Sequence, residues 1–452
     1  MHEIITELIE NKKFGFLKKE LESMNPADLV DAFEYIDTKN IPIIFRILPK
    51  EQAAEVFVLM DNELQRLLID SFSDEELRAV MDELFMDDTV DIIEEMPASV
   101  VKRILKHTDR ETRNKINQLL AYPDNSIGSI MTTEYVDLKL GMTVSDALSR
   151  IRKIGEDAED IYTCYVVNSR RKLLGVISVR DLILNTNNTL IDDIFDKNVI
   201  MASTLDDKEE ATALFEKYDL LALPVVDSEN RLIGIVTVDD AIDVMQEAAS
   251  EDIEMMAAIL PSEKPYLKTG VFEIFRARIP WLLFLMISAT FTGAVISSFE
   301  GRLSKCLALI AFIPMLMGTG GNSGSQSSVT VIRALSLGDI EFRDIVKVIW
   351  KELRVAVICG VVLGVVNLVK LYLIDYMWLH TFDVGHEFSE MLTVCSTLVF
   401  VVIVAKLVGS VLPIIAKKIG LDPAVMASPL VTTILDAVSL MIYFGLATLF
   451  IL

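Results

Sequence analysis

The stretch PAVMASPLVTTILDAVSLMIYFGLATLFIL, Pro423–Leu452, decides how the chain is organised. It is apolar throughout except for one ionisable side chain, Asp436. About 20 apolar residues cross a bilayer core, so this run is a transmembrane helix candidate. Asp436 lies thirteen residues after Pro423, which at about 1.5 Å per residue places it roughly 20 Å into the helix, near mid-bilayer. A carboxylate there costs about 2.5 kcal/mol or more to insert, so it must face a bundle interior or a wet cavity. Two readings stand: a cation site, or a protonated Asp bonded to a neighbouring helix. Intramembrane acids generally mark ion paths, which favours the first.

Working outward, the charge is unevenly spread. Residues 271–452 hold 13 Lys and Arg against 12 Asp and Glu, a net of +1, so the remaining 270 carry 29 − 54 = −25 of the total −24. A near-neutral apolar half joined to an acidic polar half describes a membrane protein with a large soluble domain. Such a domain repels nucleic acid and attracts cations. Cys164, Cys306, Cys359 and Cys395 are scattered, with no pairing or zinc-like spacing. The N-terminus, MHEIITELIENKKF, lacks the basic-then-apolar pattern of a signal peptide, so the soluble half is expected in the cytoplasm.

Residues 1–125 carry helical periodicity throughout, with cap-like starts at Asn25-Pro26, Ser73-Asp-Glu-Glu and Asp87-Asp88-Thr. Short helices in a loose repeat predict a small superhelical array. Residues 126–245 then repeat: YVVNSRRKLLGVISVRDLI aligns with LPVVDSENRLIGIVTVDDAI at an offset of 59, matching Val166 to Val225 and Gly175 to Gly234. Each copy reads as strand, polar turn, strand and helix start. Residues 240–264 predict a long acidic helix. Asp240, Asp243, Glu247 and Glu251 share one face, and no Lys or Arg occurs between Arg231 and Lys264. Stacked like charges destabilise a helix unless a cation or basic partner faces them.

Five apolar spans follow, near 280–299, 304–332, 353–379, 389–414 and 423–452. Arg333, Arg343, Lys347, Lys351, Arg354, Lys417 and Lys418 fall on one side of them, which the positive-inside rule makes cytoplasmic and which puts the C-terminus outside. The second span contains Gly318-Thr-Gly320-Gly321-Asn322-Ser-Gly324-Ser-Gln326. So polar a stretch predicts irregular backbone lining a cavity, because exposed polar backbone is not tolerated in lipid. Small residues serving helix packing alone is the competing reading.

The two repeated units, Gly175-Val-Ile-Ser178-Val-Arg-Asp181 and Gly234-Ile-Val-Thr237-Val-Asp-Asp240, resemble a CBS-domain pair. In that family such Ser/Thr and Asp residues often hold a nucleotide ribose, which marks Ser178, Asp181 and Thr237; capping the following helix is the bland alternative. With the glycine-rich span two, Asp422-Pro423-Ala and Asp436, the order of parts resembles the MgtE family of magnesium channels over essentially the whole chain. The resemblance implies a multidomain protein: an all-α superhelical domain (1–125), an α/β CBS pair (126–245), a connecting or plug helix (246–275) and a five-helix transmembrane domain (276–452). It implies a homodimer in the plasma membrane with a pore on the twofold axis. Gly318, Gly320, Gly321, Asn322, Gln326, Ser428 and Thr432 would line that pore. Asp436 would hold hydrated Mg²⁺, with Asp422 at the cytoplasmic mouth. Sensor acids for cytoplasmic Mg²⁺ would be Glu55, Asp87, Asp91, Glu209, Asp219, Asp240, Asp243, Glu251 and Asp252, with ATP a candidate ligand of the CBS pair. Ala248 and Ser428 stand where the family often has an acid and an Asn.

Mg²⁺ dehydrates reluctantly and is held by one or two carboxylates plus waters, which suits one Asp per chain on a twofold axis. No P-loop or nucleophile motif indicates an enzyme. Three competing readings are a CBS-gated chloride channel, a membrane sensor that transports nothing, and a carrier of Co²⁺, Mn²⁺ or Zn²⁺. The pore acid disfavours the first, Asp436 and span two the second. No span carries a His for softer metals. His380 and His386, with Asp383 and Glu387, read as a solvated outer loop.

Overall fold

A computed structural model describes residues 2–33, 35–262, 266–303, 307–379, 387–426 and 428–450. It divides into two compact units, Met1–Met245 and Gln246–Leu452.

The first unit opens with ten short helices: α1 (His2–Glu10), α2 (Phe14–Glu22), α3 (Pro26–Phe33), α4 (Ile41–Phe45), α5 (Lys50–Val58), α6 (Asn62–Ser71), α7 (Asp74–Met81), α8 (Met86–Glu95), α9 (Ala98–His107) and α10 (Arg110–Leu119). None is long enough to be stable alone, so each depends on burying one face. Helices pack on their next-but-one neighbours, α3 on α5, α5 on α7, α7 on α9 and α8 on α10, which builds the expected superhelical array. Phe45, Phe57 and Phe72 meet at its centre, with ring centroids 5.3 to 6.4 Å apart. The start expected at Ser73 is a full capping box with Glu76. The start expected at Asp87-Asp88 lies instead at Phe85, leaving both acids in the first turn of α8, where the helix dipole favours negative charge.

The repeat folds as two matching sheets. In the first, β1 (Tyr135–Lys139) runs parallel to β2 (Asp160–Val167), which pairs antiparallel with β3 (Leu173–Ser178); α11 (Val144–Ile154) and α12 (Val179–Leu184) complete the copy. The second uses β4 (Ala202–Ser203), β5 (Ala222–Val226) and β6 (Leu232–Thr237) in the same order, with α13 (Lys208–Tyr218). The registers coincide: Val166 pairs with Gly175, and Val225 with Gly234. Both glycines are required because another chain segment crosses each strand. A Cβ on Gly175 would sit 2.3 Å from the Asp196 carbonyl oxygen, and one on Gly234 2.4 Å from that of Thr132. The copies join through their turns, where Leu173 N donates to Asn230 O and Leu232 N to Arg171 O.

α14 (Val238–Met256) follows β6 directly. The acidic helix predicted over 240–264 therefore begins earlier and stops sooner. Ala258, at φ 55°, breaks it, and helix resumes only at Val271.

The second unit contains α15 (Val271–Leu303), α16 (Ile313–Ser336), α17 (Ile345–Lys370), α18 (Glu387–Lys418) and α19 (Ser428–Phe450), with a π-helical turn, Leu371–Tyr376, extending α17. Among the described residues, four segments are long and apolar enough to cross a membrane: Val271–Phe299, Phe342–Tyr376, Phe388–Lys418 and Pro423–Phe450. α16 is the fifth helix and is too polar to join them by composition. Here the structure corrects the expectation of irregular backbone: Gly318–Gln326 lies inside one unbroken α-helix. Its backbone is satisfied within the helix, and Gly320, Gly321 and Gly324 face protein where α16 packs on α18 and α19. The His380, Asp383 and His386 loop and Cys306 lie outside the described residues.

Candidate metal centre and ion path

Within the first unit, α8, the start of β2 and the start of α14 converge. They bring one carboxylate oxygen each from Asp87, Glu159 and Asp240 within 4.8 Å of one another. Asp87 is buried. Glu134 ties the parts together, its Oε2 accepting from Met86 N at 2.9 Å and Thr132 Oγ1 at 3.1 Å. Among the described residues no Lys or Arg forms an ion pair with Asp87, Asp88, Asp91, Glu159 or Asp240.

Physical consequences follow for protonation. Burial, then the charges of Glu159, Asp240 and Asp88, holds the Asp87 carboxyl well above its usual range. Burial and then Asp240, among other acids, push Glu159 up to about 8 and Asp88 to about 7. Asp91 rises to about 7 through the protein packed around it and then Asp240, Asp88, Glu94 and Glu95, although its own side chain stays exposed. Asp240 rises to about 6 through burial, opposed by the Thr237 hydroxyl. Acids this close repel when ionised and so hold protons or a cation.

Of the acids the sequence marked, Asp87 and Asp240 join this group and Asp91 borders it. Asp243 is exposed one turn further along α14, where burial and then Asp239 raise its carboxyl. Glu55 is exposed on α5, Glu209 sits in the first turn of α13, and Asp219 is the left-handed cap of that helix. None of these three joins the group. Glu159, Asp88 and Glu134 were missed. The acidic run Glu156-Asp157-Ala-Glu159-Asp160 was the available signal.

Of the CBS positions, Ser178 caps α12 and Thr237 immediately precedes α14. Ser178 Oγ donates to Asp181 Oδ2 and Thr237 Oγ1 to Asp240 Oδ2, both at 2.6 Å. Ser178 is half-buried where Thr237 is buried, and Asp181 is exposed where Asp240 is half-buried, so the two copies present this pair differently.

In the second unit, Asp252 Oδ2 accepts from Ser336 Oγ at 3.4 Å, and burial followed by the nearby Asp422 charge raises its carboxyl. Asp422 Oδ1 accepts from Ala424 N at 2.7 Å and so caps the turn before α19. Glu251 is exposed. α16 and α19 run against each other through small residues. A Cβ on Gly321 would meet Thr432 Cγ2 at 2.8 Å, and one on Gly320 would meet Ser439 Oγ at 2.6 Å. Thr432 and Ser439 flank Asp436 on one face of α19, and Asp436 is half-buried. Gly320 and Gly321 are buried in this contact, whereas Gly318, Asn322 and Gln326 form an exposed stripe along α16. The Ser428 side chain lies outside what the structure describes.

Four membrane-length apolar segments, a fifth helix with a polar stripe packed on the helix that carries Asp436, and a group of acids without a Lys or Arg ion pair among the described residues of the first unit define a cation-handling membrane protein. Comparison with known proteins narrows this class. The profile described as divalent cation transporter matches residues 313–446, the MgtE intracellular N domain matches 24–125, and CBS domains match 127–186 and 191–247. The chain is 36% identical to the magnesium transporter MgtE of Thermus thermophilus over 96% of its own length and 94% of that protein. It is 33% identical to that of Bacillus subtilis, covering 98% and 96%. A crystal structure of the cytosolic domain of the Mg²⁺ channel MgtE in complex with ATP superposes with TM-score 0.52 and 35% identity, covering 54% of this chain and all of that one. The chain belongs to the MgtE family.

Proposed function

We propose that this chain is a Mg²⁺ channel or transporter that imports the ion down its electrochemical gradient and is closed by cytoplasmic Mg²⁺. The observation that carries the gating half is the meeting of Asp87, Glu159 and Asp240 without a basic partner. Ionised, these acids push α8 away from the CBS pair; a divalent cation bridging them draws the parts together. That bridge works only because the ion binds the compact arrangement better than the separated one, since equal affinity would shift nothing. Asp243, Glu251 and Asp252 extend the acidic surface along α14.

For the transported ion, Asp436 supplies one carboxylate per chain, and two chains on a twofold axis supply two, matching the needs of a largely hydrated Mg²⁺. The stripe Gly318, Asn322, Gln326 would receive the water shell, with Thr432 and Ser428 on the facing helix and Asp422 at the cytoplasmic mouth. Two charges crossing 100 mV gain about 4.6 kcal/mol, so inward flow needs no chemical fuel. The homodimer, the plasma-membrane location and an external C-terminus belong to this reading, and the basic loops on the opposite side support the last of these. ATP is the candidate ligand of the CBS pair, supported by its presence in the related cytosolic domain.

Mg²⁺ flux into proteoliposomes tests the reading. Asp436→Ala is expected to abolish flux, and the combination Asp87→Asn, Glu159→Gln, Asp240→Asn to leave flux insensitive to Mg²⁺ on the soluble-domain side. Normal conduction by Asp436→Ala would remove the pore assignment. A triple variant still shut by that Mg²⁺ would remove the gate. Running Mn²⁺ and Co²⁺ beside Mg²⁺ decides the ion.

A further inference from the structure

The face of α16 opposite its polar stripe carries a charged network that the transport reading does not use. Lys406 on α18 is buried, and its Nζ donates to Ser327 Oγ on α16 at 3.4 Å. Ser327, itself buried, donates onward to Glu352 Oε2 on α17 at 2.7 Å. A cation and an anion from two helices thus meet on one hydroxyl of a third. Ionisable side chains inside a membrane bundle are rare and persist where they pair.

The packing around them gives this network a task. α16 touches α18 and α19 through glycines: a Cβ on Gly324 would lie 3.1 Å from Ala405 O and 2.0 Å from Leu435 Cδ1. Glycine surfaces permit close approach but offer little bulk to resist rotation about the helix axis. A rotation of about 100° exchanges Asn322 for Ser323 on any given face. One polar anchor is a well-attested way to fix register between helices.

We propose that Lys406, Ser327 and Glu352 form a buried clamp that sets the rotation of α16 and so holds the stripe Gly318, Asn322, Gln326 toward the ion path. They are positioning residues for transport, and the assignment rests on the transport reading above. Because α17 and α18 each contribute one charge, displacement of either helix is transmitted to the stripe.

The test reads orientation directly in full-length protein in liposomes, with Cys164, Cys306, Cys359 and Cys395 replaced by Ala. Asn322→Cys and Ser323→Cys are each exposed to a water-soluble thiol reagent. With the clamp intact, position 322 is expected to react faster by about tenfold or more. Lys406→Met should bring the two rates together and lower flux, while Lys406→Arg, which keeps the cation, should preserve both. If Lys406→Met yields too little protein, Ser327→Ala removes the bridging hydroxyl at little change in volume and should act alike. An unchanged ratio of rates in Lys406→Met or Ser327→Ala overturns the clamp, as does a Ser323 position that reacts first in the parent. The Asp436→Ala control keeps the two readings apart: normal flux there removes the transport assignment, whereas the rate ratio judges the clamp by itself.

Discussion

Asp87 and Asp240 belong to different domains, one in the first turn of α8 and the other in the first turn of α14, yet their carboxylates meet with that of Glu159 inside 4.8 Å. Two unit charges at that separation repel by about 3 kcal/mol at an effective dielectric of 20. Asp87→Asn and Glu159→Gln are therefore expected to stabilise the contact of α8 with the CBS pair when no divalent cation is present. Hydrogen exchange of the α8 amides in full-length protein checks this. In the parent, Mg²⁺ should slow exchange; in the variants exchange should already be slow and respond little. Faster exchange in Mg²⁺-free Asp87→Asn would show that repulsion is not what opens the contact.

Protons compete with metal at the same group. The Asp240, Asp88, Asp91 and Glu159 carboxyls are pushed up from the ordinary carboxylate range to about 6, 7, 7 and 8. Above about pH 4 the unfolded chain has released these protons, while each folded group retains its own up to its raised value. Folded stability is thus fully present below pH 4 and is lost as pH rises through the folded values. In the absence of divalent cations the soluble unit should melt at lower temperature at pH 8 than at pH 5.5. Mg²⁺ should reverse that loss, release protons on binding, and bind more tightly at pH 8 than at pH 6. Calorimetry in two buffers of different ionisation enthalpy measures the protons released.

Much of this architecture was legible because it depends on period and composition. The gapless repeat located both sheets, down to Gly175 and Gly234. The apolar runs located the membrane helices. What the sequence hid was pairing at a distance. Glu159 sits in an acidic run that looks like a solvated turn until α8 is folded against it. The polar letters of Gly318–Gln326 suggested broken backbone, because composition does not reveal that Gly320, Gly321 and Gly324 face helices close enough to need the absence of a side chain. Lys406 is a single basic residue in an apolar run, and only its partners on α16 and α17 give it a role.

The backbone contact between α18 and α16 makes a stability prediction. A Cβ on Gly409 would stand 2.2 Å from the Gly324 carbonyl oxygen, so α18 must move away from α16 to accept one. Overpacking of this kind costs about 1–3 kcal/mol. Gly409→Ala should lower the unfolding temperature of detergent-solubilised protein and weaken Mg²⁺ flux. Gly445→Ala, at a position with nothing within 4 Å, should do neither. Equal behaviour of the two variants would mean that α16 and α18 do not approach this closely.

Thr237 joins the CBS motif to the acidic group, because its hydroxyl donates to Asp240 Oδ2 at 2.6 Å while α14 begins at the next residue. Thr237→Val removes that bond at nearly constant volume and should cost about 1 kcal/mol as a lost hydrogen bond. The same bond lowers the Asp240 carboxyl, so its loss should push Asp240 further up and weaken Mg²⁺ binding at neutral pH. Ser178→Ala removes the matching bond to Asp181 in the other copy, away from the three-carboxylate group, and should leave Mg²⁺ affinity unchanged. Titrating both variants with Mg²⁺ and, separately, with ATP distinguishes the roles of the two copies. Nucleotide binding lost in Thr237→Val but kept in Ser178→Ala would place ATP beside the acidic group, and the opposite pattern would place it in the first copy. Equal Mg²⁺ affinity in both variants would show that the Thr237 hydroxyl has only a structural role.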